Sequence, residues 1–403
     1  MVTAACSGSA APTTTASSST TTTVPTTTTT HQPTTTAAPT TTTSSAPAPT
    51  TPVVRHVDVS GELPAGLLAE IQSVMDYATD LRNDVPAVAE GLVSYLQAVT
   101  LPVANIAHFE GTVVELQNGD SIAVAHRSAE TLFAVHDGAG WRIVGARLGG
   151  LAPWLGEGPR LLLILGSDAR VGQNQQRFRA DSIHLLSVVP EASAGAIVGF
   201  PRDSLVPGPD GDIKFSSLMA GRGPQIMLDT TRTLTALPIE GYVVTGFKGF
   251  TGLIEALGGL LIDLPTVMRT GNDWSNFAAG LQKLDPTRAL QLARIRKGLP
   301  GGDFARSFNQ GLIMQAAMAM VQDGGIDLLP NWLYILGENA WTDLSTEDLL
   351  TFAASSYFMA PEDLVNTVLP GRVATVRGAS VVLLDEEVEA IYRDLDDGLL
   401  TTE

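Results

Sequence analysis

A single cysteine, Cys6, occurs in 403 residues, which excludes an intrachain disulfide framework. Cations are scarce as well: 24 lysines and arginines stand against 42 aspartates and glutamates, a formal net charge of −18. That balance argues against a nucleic-acid binder, which needs a cationic footprint for the phosphate backbone. No apolar run reaches the ~18 residues expected of a transmembrane helix. The stretch from Gly249 to Pro265 is interrupted by Glu255 and Asp263. Also missing are a Gly-x-x-x-x-Gly-Lys-[Ser/Thr] loop, a His-Glu-x-x-His pair and a Gly-x-Ser-x-Gly elbow. A nucleotide-driven enzyme or a serine hydrolase would need unmarked machinery.

With so few cations, the places where they gather carry information. Leu161 to Gly166 reads as a buried strand leading to Asp168. Ser182 to Val189 reads as a second strand, entered just after Arg179 and Asp181, and Ala196 to Phe200 as a third, leading to Arg202 and Asp203. If these strands pair antiparallel, the exit of the first, the entry of the second and the exit of the third share one edge. Asp168, Arg179, Asp181 and Arg202 then meet there. Two carboxylates among arginines suit a divalent cation holding a phosphate or pyrophosphate; the competing reading is a set of ion pairs that satisfies strand ends.

A second constellation lies between Ala289 and Gln310. Arg294 and Arg296 are two apart, so they share a face in an extended chain and diverge on a helix. Paired guanidiniums on one face suit phosphate oxygens, and a solvated basic face is the alternative. Arg306 and Gln310 are four apart and share a helix face beyond a Gly-Gly-Asp loop at residues 301–303.

The chain divides into three parts. Residues 1–52 hold Cys6 and a stretch of Thr, Ser, Ala and Pro that cannot bury a core, and so read as a disordered tether. Small residues precede Cys6 and polar ones follow, which resembles a bacterial lipoprotein's lipidation site; the basic and hydrophobic parts of a signal peptide do not precede it. Residues 53–154 read as a small α+β module, with helical spacing at 67–82 and 87–99, then four short strands joined by Asn118-Gly119-Asp120 and Asp137-Gly138 turns. Nothing in it reads as chemistry, and a spacer or partner-binding role is expected. Residues 155–403 read as an α/β domain with a mixed sheet flanked by helices. They include a helix opened by a capping box at Ser345 and Asp348.

The order of motifs in this last part resembles the LytR–CpsA–Psr family of bacterial cell-wall enzymes. The resemblance rests on Gly166-Ser167-Asp168-Ala169-Arg170, Arg179-Ala180-Asp181-Ser182 and Pro201-Arg202-Asp203. It continues through Gly249-Phe250 with Leu257-Gly258-Gly259, then Ala293-Arg294-Ile295-Arg296, then Gly302-Asp303 with Arg306 and Gln310. It covers roughly residues 159–395. The resemblance implies transfer of a glycopolymer from a polyprenyl-pyrophosphate carrier to peptidoglycan, forming a phosphodiester. It implies that Asp168 and Asp181 hold Mg2+ against the pyrophosphate. Arg179, Arg202, Arg294 and Arg296 would clamp its oxygens, and Arg306, Gln310, Arg170 and Lys214 would complete the pocket. The polyprenyl tail would lie in an apolar groove between sheet and helices, lined by residues such as Phe215, Met219, Met227, Leu228 and Leu234. The implied setting is the outer face of a bacterial cytoplasmic membrane, with the protein held there through the candidate lipid anchor. The chain departs from the family pattern at Lys214-Phe215-Ser216, Asn309 and Gly311. Hydrolysis of the polyprenyl pyrophosphate, with water in place of the sugar hydroxyl, stands as one alternative, and the departures at Ser216, Asn309 and Gly311 keep open a second, a non-catalytic polyprenyl-phosphate-binding protein.

Overall fold

A computed structural model describes residues 54–101, 106–269, 276–296 and 299–401. Cys6 and the Thr-rich tether lie outside the described residues. All described residues belong to one compact unit, Val53–Glu403. Its first part is built from β1 (Asp58–Gly61), α1 (Ala65–Thr79), α2 (Glu90–Ala98), β2 (Ile106–Glu115), β3 (Ser121–Arg127), β4 (Glu130–His136) and β5 (Trp141–Arg147). The five strands form one sheet in chain order, with β1 and β2 parallel and the rest antiparallel. Gly119 and Gly138 take φ of 89° and 88° in the tight turns between strands, a region that costs glycine little. Residues alternate across the sheet. In β4, Leu132 and Ala134 face α1 and α2, whereas Phe133 and Val135 face the other way. Every residue from Thr131 to Val135 is buried, so both faces of this strand are covered.

The cover on the second face comes from the larger part of the chain. Its elements are β6 (Arg160–Ser167), β7 (Ala180–Val189), β8 (Ala194–Gly199), β9 (Leu205–Val206), β10 (Ile213–Lys214), α3 (Phe215–Leu218), α4 (Gln225–Thr235), β11 (Gly241–Thr245) and α5 (Phe247–Ala256). They continue as β12 (Leu260–Leu264), β13 (Gly280–Leu284), α6 (Pro286–Arg294), α7 (Asp303–Asp323), α8 (Leu329–Asn339), β14 (Trp341–Thr342), α9 (Thr346–Phe358), β15 (Leu364–Val368), β16 (Gly371–Val376), β17 (Ala379–Leu384) and α10 (Val388–Asp394). Six strands form a mixed sheet in the order β14-β11-β6-β7-β8-β15. Parallel pairing joins β11 to β6 and β15 to β8; the other neighbours are antiparallel.

One face of this sheet, with Leu161, Leu163, Leu165, Ile183, Leu185 and Val198, packs on residues of α3, α4 and α10. The other face, with Leu162, Ile164, Leu186 and Val243, turns toward α7, α8 and α9. Helix α9 is used on two sides: Phe352 packs against the six-stranded sheet, and Leu350 and Ala354 pack with the five-stranded one. Ser345 caps α9, its Oγ accepting from Asp348 N at 3.1 Å. Arg160, almost wholly buried, fastens the assembly. Its guanidinium grips Glu240 through two hydrogen bonds of 2.6 Å and donates to Leu155 O at 2.6 Å and Thr351 Oγ1 at 3.0 Å.

Candidate active site

The exits of β6 and β8 and the entry of β7 share one sheet edge, because antiparallel pairing sets Gly166 opposite Ser182 and His184 opposite Gly199. The ends of β11 and β15 reach the same edge. Just past it, Asp168 N donates to Arg179 O at 2.9 Å, and Arg179 N donates to Asp168 Oδ1 at 3.0 Å. Asp181 accepts from Arg202 Nη1.

A second wall arrives from α6 and α7. Asp285 caps α6, accepting from Arg288 N at 2.9 Å, and Pro286 occupies its first turn. The helix ends at Arg294, and Ile295 turns extended at φ −67° and ψ 132°. Arg294 and Arg296 therefore straddle a helix end, neither on one extended face nor on opposite sides of a helix. Gly301 and Gly302, at φ of 84° and 53°, turn the chain into α7. That helix presents Arg306 and Gln310 one turn apart, and Gln310 Nε2 donates to Ala293 O at 2.8 Å, tying α7 to α6. Asp181, Arg202, Arg294, Arg296, Arg306 and Gln310 thereby line one polar cavity of about 120 Å3.

Charge in this cavity is incompletely matched. Arg306 is buried; burial pushes its guanidinium below its ordinary range, Asp303 opposes that push, and Arg202 adds to it by like-charge repulsion. Burial also opposes the charge on Arg202, but the charge and hydrogen bond of Asp181, with the charges of Asp203 and Asp303, outweigh it and hold that guanidinium above its ordinary range. Arg202 Nε, Arg306 Nε and Asp303 Oδ2 are buried and have no hydrogen-bond partner among the described residues. Unsatisfied guanidinium donors beside a polar cavity fit an anion with several oxygens. Burial, and then the negative charge of Asp181, push the Asp168 carboxyl above the usual carboxylate range. Two carboxylates that repel each other in a half-buried setting form a donor set that fits a hard cation. Among the described residues no third His, Cys, Asp or Glu completes a protein ligand cluster with them. An ion at that position would draw its other ligands from phosphate oxygens and water, as Mg2+ commonly does.

Four of the residues expected at the site, Asp168, Arg179, Arg170 and Lys214, stand apart from the cavity lining, and Asp168 meets it through its charge on Asp181. Arg179 is exposed and meets the site through its backbone and through its charge, which lowers the carboxyl of Asp168. Arg170 is exposed, with its backbone N–H given to Gln173 Oε1 at 2.7 Å. Lys214 pairs with Asp203 Oδ2 at 3.2 Å. Asp303, quoted in a motif without a role, supports the site: its Oδ1 lies 2.7 Å from Arg306 Nη2. His184 and Ser307 also went unassigned. His184 is fully buried, its Nε2 is 3.0 Å from Ser307 O and its Nδ1 is 3.0 Å from Ser182 Oγ, so it ties β7 to α7. Gly199 makes room for this contact, since a Cβ there would lie 2.3 Å from Ser307 Oγ and 3.1 Å from His184 Nε2.

The polar cavity meets a larger apolar one of about 410 Å3, and Asp181, Ala293, Arg294 and Gln310 line both. The apolar cavity lies on the face of the sheet that carries Leu162, Ile164, Leu186 and Val243, and is closed by residues of α5, α7, α8 and α9. This corrects the expected groove. Phe215, Met219, Met227 and Leu228 are buried in the solid core on the opposite face, with Leu234 packed against them. Apolar helical spacing does not reveal which sheet face a helix fills.

The family model described as the LytR_cpsA_psr family matches residues 152–395. The TagU protein of Oceanobacillus iheyensis, named a polyisoprenyl-teichoic acid–peptidoglycan teichoic acid transferase, is 29% identical over 243 residues, 58% of this chain and 74% of that protein. A protein of the same name from Halalkalibacterium halodurans is 27% identical over 246 residues, 60% of this chain and 79% of that protein. Among solved structures, protein gbs0355 from Streptococcus agalactiae matches with a TM-score of 0.51 at 20% identity, over 61% of this chain and 90% of that one. A structure titled TagT bound to LI-WTA matches with a TM-score of 0.50 at 20% identity, over 61% of this chain and 92% of that one, and both likenesses concern the fold. With its motifs in order, its sheet edge assembled and more than half its length matched, the chain belongs to the LytR–CpsA–Psr family.

Proposed function

We propose that this chain transfers a glycopolymer from a polyprenyl-pyrophosphate carrier to a hydroxyl group of peptidoglycan, at the outer face of a bacterial cytoplasmic membrane. Membership of a family whose matched relatives are named transferases makes the chain a transferase of cell-wall polymer. The observation that carries the finer reading is the junction of the two cavities. A cationic pocket suited to a diphosphate opens directly into an apolar space suited to a hydrocarbon tail, with Arg294 and Gln310 at the seam. The acceptor hydroxyl oxygen attacks the phosphorus nearer the polymer, the bond from that phosphorus to the polyprenyl phosphate breaks, and the hydroxyl proton passes to the departing polyprenyl phosphate, directly or through water. Arg202, Arg294, Arg296 and Arg306 bind and orient the phosphate oxygens and neutralise the charge that develops on them. Asp168 and Asp181 would hold Mg2+, which supplies further neutralisation of phosphate charge. Gln310 fixes α7 against α6, which keeps the guanidiniums on opposite walls of one pocket.

Among the described residues no helix is long and apolar enough to cross a membrane. In this reading the Thr-rich tether and a lipid on Cys6 hold the domain near its substrate. The test uses a polyprenyl-pyrophosphate donor carrying a labelled glycopolymer, incubated with the protein, Mg2+ and peptidoglycan. Label ligated to peptidoglycan supports the transfer, and release of polymer phosphate alone makes the enzyme a hydrolase. Binding without turnover by wild type and Asp181→Asn alike makes it a carrier-binding protein.

A further inference from the structure

The five-stranded sheet lies outside the family match, yet it is built against the wall of the apolar cavity. Leu329, Leu333, Leu336, Leu349 and Ala353 all line the cavity, and all five belong to the apolar cluster that joins α8 and α9 to the five-stranded sheet. The wall is therefore one helix layer thick. A side chain displaced on the sheet side has no second layer to absorb the movement, because packed interiors transmit strain.

The N-terminal module also holds α8 at its start and middle and α9 near both ends. The turn leading into α8 meets the module where Asp327 Oδ1 lies 2.7 Å from His126 Nε2. Farther along α8, Gln117 Nε2 donates to Tyr334 O at 2.9 Å. The first turn of α9 is held where Asn118 Nδ2 donates to Thr346 Oγ1 at 3.0 Å and Arg142 Nη1 reaches Glu347 Oε2 at 3.0 Å. The last turn is held by rings. Phe133 meets Phe358 edge-to-face with centroids 6.1 Å apart, and the Arg147 guanidinium stands 5.1 Å over the same Phe358 ring. Phe358 in turn packs edge-to-face on Tyr357, which lines the cavity.

We infer that the N-terminal module sets the shape of the cavity that takes the hydrocarbon tail, with Phe133 and Arg147 as positioning residues that act through Phe358 and Tyr357 without touching the tail. This rests on the reading of that cavity as a polyprenyl site. The module is thereby assigned to substrate selection: the volume open to a tail is a joint property of the family domain and a sheet the family model does not include.

The test uses the whole chain in Mg2+ buffer with two probes, geranylgeranyl diphosphate and inorganic pyrophosphate, titrated by calorimetry into wild type, Phe133→Leu and Arg147→Gln. Phe133→Leu keeps the position apolar, and Arg147→Gln alters only a half-exposed side chain, so the second variant stands if the first fails to fold. Both variants are expected to weaken the lipid probe by roughly 3- to 10-fold, the range an aromatic contact commands, and to leave pyrophosphate binding unchanged. Unchanged binding of both probes overturns the inference. So does equal loss of both, which would place the module's effect on the fold as a whole. If wild type binds geranylgeranyl diphosphate no tighter than pyrophosphate, the cavity reading itself fails, and wild type alone reveals that.

Discussion

Acid is expected to unfasten the active-site edge through His184. This side chain is fully buried between Ser182 on β7 and the Ser307 carbonyl on α7, and burial lowers its pKa from 6.5 to about 4. The neutral ring donates from Nε2 to the carbonyl and accepts at Nδ1 from the serine hydroxyl. The folded-state pKa is depressed, so the unfolded chain binds the extra proton first as pH falls. The contribution to stability is complete above about pH 6.5 and is lost progressively down to about pH 4. A shift of this size corresponds to about 3 kcal/mol. Asp168 works in the opposite direction: its raised pKa adds stability below the ordinary carboxylate range, and that stability is lost as pH rises through the raised value. Comparing wild type with His184→Gln removes this second slope, since both proteins keep Asp168. Urea unfolding followed by tryptophan fluorescence at steps from pH 7.5 to 4 is the assay. Wild type should lose about 3 kcal/mol more than His184→Gln over the window. A stability difference that stays flat with pH would refute the buried neutral ring.

Three further outcomes are expected. Arg160→Met strands the half-buried Glu240 and removes the donors to Leu155 and Thr351, and should cost about 3 kcal/mol in denaturant unfolding. Gly199→Ala forces a Cβ into Ser307 and His184, and should cost about 1–3 kcal/mol while weakening pyrophosphate binding, because α7 must shift. Arg296→Ala should lower pyrophosphate affinity about 10- to 100-fold, the worth of one charge-assisted hydrogen bond, and leave the melting temperature in place because this side chain is exposed.

The sheet edge was legible because three apolar runs end against charged residues at short range. Leu161–Gly166, Ser182–Val189 and Ala196–Phe200 fall within β6, β7 and β8 or run one residue beyond; the short β7–β8 connection favours antiparallel pairing, whereas the twelve residues between β6 and β7 left theirs an assumption that the structure bears out. The Ser345 cap and the Arg306–Gln310 helix face are equally local signals. The choice of cavity face was not legible. In β6, Leu161, Leu163 and Leu165 point one way and Leu162 and Ile164 the other, so both faces read as core. Only the helices brought from residues 247–358 determine which face is packed solid and which is left open. The contact between the N-terminal module and α8–α9 was hidden for the same reason. Leu350 and Ala354 look like the apolar stripe of any helix, and their partners lie more than 200 residues earlier in the chain. The pairing of β15 with β8 is likewise a long-range event that no local pattern announces.

The most direct measurement is a crystal structure of the protein soaked with geranylgeranyl diphosphate and Mg2+. The expected result places the diphosphate among Arg202, Arg294, Arg296 and Arg306, with the ion at Asp168 and Asp181 and the hydrocarbon running past Ile164 and Val243 toward Leu336. A diphosphate bound away from those guanidiniums, or a tail lying outside the apolar cavity, would contradict it.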